Sequence, residues 1–428
     1  MTDRLVRIGL GLAVNVVMAR TLGPADFGLF AYALTLAAFF LPLGTLGLER
    51  IVVRELARGT VPEGSMLGSI TLARLAGGML GAALAVSVAV LASGSERALT
   101  GGLVALIATG NLWQAFDVID WSFQARRDFK RGTGARLLAF ILGAGIKLTV
   151  LFVGAGLLTV AVVTLLEMIL AAGFQLAFWL RAGGRIAVWK FDAALAVSLV
   201  RMSSPLLIGE IAVWIFQKAD MLILQQVASD SEVGYYSVAQ RLGQAGYFLP
   251  VLAVQIFSPM VAQARSEGEA LQLVQKVMNG LVLAAYALAV GLMLASGLLV
   301  RGLFGDAFTP ATVLLVCLAW SNVFVFMGCA HTLYLVNRDA QKLSLRLAWL
   351  TAVTSVALNL MLVPWLHARG AALANVGAYC LTTVFGVALF RISRPLLAVN
   401  LLALLSPVTL MVAGWRSLTK PSASTPEA

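Results

Sequence analysis

The sequence predicts an all-α protein, a polytopic transmembrane helix bundle of about 12–14 spans arranged as two pseudo-symmetric six-helix lobes. Three observations carry that prediction. The first is composition: of 428 residues, 60% are hydrophobic and only 12% charged, with a mean hydropathy of +0.92. Soluble proteins hold about 45–50% apolar and about 25% charged residues, and charges this sparse cannot enclose a core this apolar. A soluble enzyme, a disordered chain and a disulfide scaffold are excluded together. The second is the recurrence, along the whole chain, of apolar windows of about 20 residues, the length that crosses hydrocarbon as a helix. The third is an internal repeat.

The windows place spans near 5–20, 27–48, 66–92, 101–121, 136–156, 158–180, 203–227, 233–260, 277–300, 310–336, 346–366, 370–390 and 395–414. The first is short and already holds Arg4 and Arg7, so either its helix projects little beyond the membrane or the true start lies upstream. The apolar stretch 8–19 runs into further spans with no small-residue cleavage site, so no removable signal peptide is expected. Connections are shorter than about 25 residues, too short for an inserted soluble domain. The tail from Arg416 is polar and reads as disordered.

Charge then sets orientation. The net charge of +11 would suggest nucleic acid on a soluble protein, but in a membrane protein cytoplasmic loops collect Lys and Arg. With the N-terminus inside, 21 of the 31 basic residues fall in cytoplasmic segments, among them Arg54, Arg126, Arg127, Lys130, Arg131 and Arg185. Six fall on the opposite face, and four, Arg74, Lys147, Lys218 and Arg241, lie within spans. A cytoplasmic N-terminus follows, with no role for nucleic acid. The cluster at 126–131 either sets topology or attracts anionic headgroups.

The repeat pairs Leu22-Gly-Pro-Ala-Asp-Phe-Gly-Leu-Phe-Ala31, followed by Phe40-Leu-Pro42, with Ser231-Glu-Val-Gly-Tyr-Tyr-Ser237, followed by Phe248-Leu-Pro250. In each copy an acidic residue precedes a glycine–aromatic start and a mid-helix proline follows. An even number of spans separates the copies, so they share one orientation, as parallel repeats do. The expected organisation is an N-terminal six-helix lobe (1–181), a basic cytoplasmic linker (182–202), a C-terminal six-helix lobe (203–391), and an extra helix with a polar tail (392–428).

Several segments resemble the polysaccharide transporter (Wzx-type oligosaccharide flippase) family of the MATE/lipid-flippase exporter superfamily. They are Ala19-Arg-Thr-Leu-Gly-Pro-Ala-Asp-Phe-Gly28 with Gly47-Leu-Glu-Arg50 and Arg54-Glu-Leu-Ala57; Lys218-Ala-Asp-Met-Leu-Ile-Leu224 with Ser231–Arg241, Leu249-Pro250 and Ser258-Pro259; and Leu303-Phe-Gly305 with Asn359–Pro364 and Gly370–Ala374. Their order and spacing are specific as a set, and they span roughly residues 15–385. The resemblance implies an inner-membrane flippase that moves polyprenyl-diphosphate-linked oligosaccharide to the outer leaflet for surface polysaccharide synthesis by alternating access. It implies no catalysis and no cofactor, and as partners the lipid-linked substrate, membrane lipids, and glycan polymerase and export machinery. The family usually has twelve or fourteen spans, whereas the windows here number thirteen.

The buried charges are the candidate machinery. A charge at the bilayer centre costs about 2.5–3.5 kcal/mol on insertion scales, so it faces protein or a hydrated cavity. Arg74, Lys147, Lys218 and Arg241 could line a cationic cavity between the two halves that holds a lipid diphosphate, or form ion pairs that fix packing. Glu167, Glu210 and Asp220 are candidates for ion coupling, with Glu167 equally a partner for Lys147. Asp117 and Asp120, beside Trp121, read as interfacial. Pro42 and Pro250 each remove a backbone hydrogen bond within a span and are candidate hinges or fixed kinks. The three cysteines, Cys317, Cys329 and Cys380, and the two histidines, His331 and His367, lack metal-ligand spacing, so no metal is expected. His331 reads as a packing residue or a proton relay. No Walker A loop is present for ATP hydrolysis. Two other functions stay open: a cation-coupled MATE-type multidrug exporter, which would favour acidic cavity residues, and a membrane glycan polymerase or ligase, which would favour a long external catalytic loop that this chain lacks.

Overall fold

The computed structural model describes residues 2–92, 98–264, 266–338 and 340–406. Among them there is no strand. The helices are α1 (Thr2–Phe39), α2 (Leu41–Thr45), α3 (Glu49–Arg58), α4 (Glu63–Ala92), α5 (Ala98–Leu112), α6 (Val118–Ala125), α7 (Phe129–Phe152), α8 (Leu157–Arg181), α9 (Ala193–Val227), α10 (Asp230–Gly243), α11 (Phe248–Ala262), α12 (Glu267–Leu299), α13 (Ala311–Asn337), α14 (Gln341–Cys380) and α15 (Pro395–Leu404). In hydrocarbon every backbone N–H and C=O must be satisfied within the segment, which is why apolar sequence of this length becomes helix. The outward faces are apolar as well: Leu91, Phe152, Leu294, Leu298 and Trp365 are all largely exposed, an arrangement suited to lipid and not to water.

Ten helical stretches among the described residues are long and apolar enough to cross a membrane, and they coincide with the windows read from sequence. The smaller number arises because two of them, each broken within, cover two windows apiece, and because the helix in the last window is too short to count. In α1, Gly23 sits at φ 76°, ψ 175°, a left-handed conformation that suits glycine. Pro24 then opens the second arm, where its missing N–H costs nothing. In α14 the break is at His367 (φ 50°, ψ −128°). The chain folds back there, since a Cβ on Gly370 would lie 2.4 Å from the Leu362 carbonyl oxygen, whereas eight residues of straight helix separate their ends by about 12 Å. The expected spans 27–48 and 395–414 are shorter in the structure. The former ends at Phe39, and the helical part of the latter runs from Pro395 to Leu404; its remainder and the polar tail from Arg416 lie outside the described residues.

Both candidate hinge prolines sit differently from the mid-helix placement expected. Pro42 lies in the first turn of the short α2, after a break at Phe40. Pro250 lies in the first turn of α11, after a 3-10 turn over Gln244–Gly246. At those positions no intrahelical hydrogen bond is lost, so each proline begins a new helix after the interruption.

The chain packs as two compact units. One comprises residues 1–238, 297–312 and 359–371, the other 239–296, 313–358 and 372–428. The first has a buried cluster that includes Leu48, Val52, Leu67, Ile70, Ile119 and Phe123 together with Trp121 and Trp179. In the second, Met278, Val282, Phe326, Met327, Leu396 and Ala403 belong to one buried cluster. There His331, 5% exposed, meets Asn400 at 2.8 Å through Nε2, and Asn400 donates to the Thr383 carbonyl at 2.9 Å. This ties α15 to α13 and to the π-turn over Leu381–Phe385.

Within the first unit the two repeated motifs touch each other. A Cβ on Gly28 would lie 1.9 Å from the Asp230 carbonyl oxygen, and one on Gly234 would lie 2.2 Å from that of Pro24. Only glycine permits such an approach. Phe27 and Tyr235 each pack nearly perpendicular to the Phe308 ring. Ser229, at the start of α10, accepts from the Glu232 N–H at 3.3 Å, as the capping spacing Ser229-Asp-Ser-Glu232 requires.

Candidate functional site

The site is built where helices break. Because α1 stops at Phe39 and α2 lasts one turn, carbonyls that a continuous helix would consume are left free. Gly77 and Gly81 of α4 let this segment approach: a Cβ on Gly77 would lie 2.0 Å from the Leu43 carbonyl oxygen. One turn before Gly77 on the same helix is Arg74, which donates from Nε to the Gly44 carbonyl at 3.1 Å. A second break, the 3-10 turn Trp113–Asp117 between α5 and α6, brings Asp117 and Trp121 to the same place.

The result is a chamber of about 480 Å³, mouth included, lined by Thr45, Glu49, Arg74, Gln114, Asp117, Trp121, Arg136 and Glu210, with Leu48 as an apolar wall. Arg74 is 3% exposed. Its guanidinium lies 4.5 Å from the Trp121 ring centroid and 3.9 Å from Asp117 Oδ2, while its Nη1 is buried without a hydrogen-bond partner. Gln175 Nε2 donates to Asp117 Oδ1 at 2.9 Å. Thr45 Oγ1 donates to Glu210 at 3.0 Å. Arg136 donates to the buried Asp120 at 2.7 Å, in a space kept open by Gly132, whose Cβ would collide with that carboxylate. Two guanidiniums and three carboxylates therefore share one polar, partly closed space with amide and hydroxyl groups. Such a lining can bind an anion through Arg74, exchange counter-ions and hold protons.

Of the residues singled out from sequence, the chamber brings together Arg74 and Glu210. Lys147 and Glu167 form a pair of their own, with Nζ donating to Oε2 at 2.6 Å; Gly143 makes room for the carboxylate. Lys218 lies over Trp214 at 5.7 Å. Asp220, 1% exposed, accepts from the Met221 N–H at 2.7 Å and the Tyr236 hydroxyl at 2.5 Å. Arg241 belongs to the second unit. Pro42 borders the chamber through the short helix it opens, whereas Pro250 lies in the second unit. Among the described residues no group of His, Cys, Asp or Glu is arranged to hold a metal.

Sequence reasoning missed Asp117, Arg136, Gln114, Glu49 and Thr45 as chamber residues. Asp117 and Asp120 read as interfacial because each stands near a span's end, and the turn that carries them inward has no proline or glycine to announce it. The i,i+3 spacing of the two carboxylates was the one available signal.

Ten helices long and apolar enough to cross a membrane among the described residues, with a buried, half-engaged guanidinium at the wall of a polar chamber, define a polytopic membrane protein. The chain belongs to the polysaccharide biosynthesis protein family, whose model matches residues 17–313. No curated protein sequence matches it. Among solved structures it is similar to the lipid II flippase MurJ in an inward closed conformation, with TM-score 0.72 at 15% identity, covering 98% of this chain and 93% of that one. It is also similar to an inward-facing multidrug resistance MATE family transporter of the MOP superfamily, with TM-score 0.71 at 16% identity, covering 91% and 95%. An outward-facing structure of a MATE family transporter aligns with TM-score 0.57 at 16% identity, covering 92% and 95%. At such identities the likeness establishes the fold.

Proposed function

We propose that this protein is an inner-membrane flippase without catalytic activity, carrying polyprenyl-diphosphate-linked oligosaccharide from the cytoplasmic to the outer leaflet for surface polysaccharide synthesis. The observation that carries the reading is Arg74, buried at the wall of a polar chamber with Nη1 unengaged, in a chain of the polysaccharide biosynthesis family. A guanidinium in that state is a ready receptor for phosphate oxygens. The lipid II flippase among its structural neighbours supports a lipid-linked cargo. The N-terminus is cytoplasmic, and the chain alternates access by rocking two six-helix lobes, 1–181 and 203–391, about breaks such as those before Pro42 and Pro250. Lys218 and Arg241 are further phosphate contacts along the path. Glu210 is the strongest coupling candidate of the three acids, since it alone of them lines the chamber with Arg74, whereas Glu167 and Asp220 are held elsewhere by Lys147 and Tyr236. Glycan polymerase and export machinery receive the product.

Cells lacking the gene should accumulate lipid-linked glycan on the cytoplasmic leaflet. Wild-type protein should clear it, and Arg74→Ala at equal abundance should not. Normal clearance by that variant would remove Arg74 from the mechanism. One observation favours a second reading, a cation-coupled multidrug exporter: Glu49, Asp117 and Glu210 outnumber the chamber's two guanidiniums. Drug resistance that follows expression while surface glycan is unaffected would establish it.

A further inference from the structure

We propose that Asp117 is an internal rival of the cargo for Arg74, and that loading cargo forces Asp117 to take up a proton. The inference rests on the reading above, in which Arg74 meets the cargo's phosphate. Arg74 has Nε committed to Gly44 and one face committed to Trp121. Only its Nη edge can turn to a ligand. Nη1 is unengaged, and Nη2 is drawn toward Asp117 at 3.9 Å, well beyond the about 2.7–2.9 Å of a charge-assisted hydrogen bond. The pair is thus close enough to neutralise and loose enough to exchange.

Asp117 cannot follow the guanidinium when it turns, because Gln175 on α8 holds its other oxygen. Nor does another cation stand ready. The charged groups around Asp117 are Arg74 from α4, Arg136 from α7, Asp120 one turn further on its own segment, and the chamber acids Glu49 from α3 and Glu210 from α9. Arg136 is already taken by Asp120 at 2.7 Å. Once a phosphate occupies the Nη edge, the displaced carboxylate faces a new anion and two other acids, conditions that favour its neutral form. The proton comes from the buffered solution outside, whose buffer acid is left as its conjugate base. Asp117 also becomes a selector: a weakly charged headgroup cannot dislodge it, whereas a diphosphate can.

The test is calorimetry on the purified full chain at pH 8, titrating farnesyl diphosphate in two buffers of different ionisation enthalpy. Wild-type protein should take up about one proton on binding, with Kd weakening by about tenfold per pH unit as pH rises. Asp117→Asn should bind more tightly and take up none, and Asp117→Glu should restore the uptake. Wild-type binding without uptake, or Asp117→Asn binding with the wild-type uptake, would overturn the rivalry. Binding unchanged in Arg74→Ala would instead sink the reading on which it rests.

Discussion

Lys147 and Glu167 show what a buried ion pair costs and contributes. Both are largely buried, at 14% and 21% side-chain exposure, and each is the other's reason to be tolerated among apolar helices. Removing one partner strands a charge, at a cost of about 3–5 kcal/mol for a fully buried pair; partial exposure here brings the expectation to about 2 kcal/mol. Lys147→Met should therefore lower the thermal midpoint in detergent, and the double variant Lys147→Met/Glu167→Met should recover most of the loss. Equal losses in the single and double variants would show that the pair is not coupled. Its legibility from sequence was good, since two opposite charges deep in adjoining spans have few other partners. Arg74 was legible as a buried charge needing a reason, but not its partners, because Gly44 and Asp117 reach it only through helix breaks.

At the scale of the element, the glycines of α4 govern the site. Gly77 admits the Leu43 carbonyl so closely that any side chain must push α2 away, and α2 carries both Gly44, which holds Arg74, and Thr45, which holds Glu210. Gly77→Ala should destabilise the protein by about 1–3 kcal/mol through overpacking and should weaken diphosphate binding, although residue 77 does not line the chamber. A thermal midpoint and binding affinity both unchanged would contradict this account. Sequence patterning located the spans, because length and hydropathy are set by the bilayer itself, but not all of their ends: α1 stops at Phe39, and α9 and α12 begin at Ala193 and Glu267, well before the windows that start at 203 and 277. It misjudged Pro42 and Pro250 as mid-helix, since Phe40 carries no turn signature and the glycines at 243 and 246 are residues that membrane helices also tolerate in their interiors.

At the scale of the whole molecule, the basic residues predict orientation. With native Cys317, Cys329 and Cys380 replaced by serine, a membrane-impermeant maleimide should label Gly154→Cys in intact cells with a permeable outer envelope. It should label Gly183→Cys only after the inner membrane is opened. The reverse pattern would invert the topology and the direction of transport proposed with it. The left-handed turns at Gly154 (φ 80°) and Gly183 (φ 90°) flank the two ends of α8, so the probes report opposite sides of the membrane that this helix spans. The overall architecture was readable because composition, charge asymmetry and repetition act over hundreds of residues, whereas the chamber depends on two short turns.

The meeting of Gly28 with Gly234 carries a last consequence. Main chain lies against main chain at that seam, so parting the two motifs breaks no specific side-chain lock between these glycines and leaves each helix's own hydrogen bonds intact. Re-joining demands only that nothing larger than hydrogen has been placed there. A single methyl group at either position would act as a wedge, holding the seam apart for good.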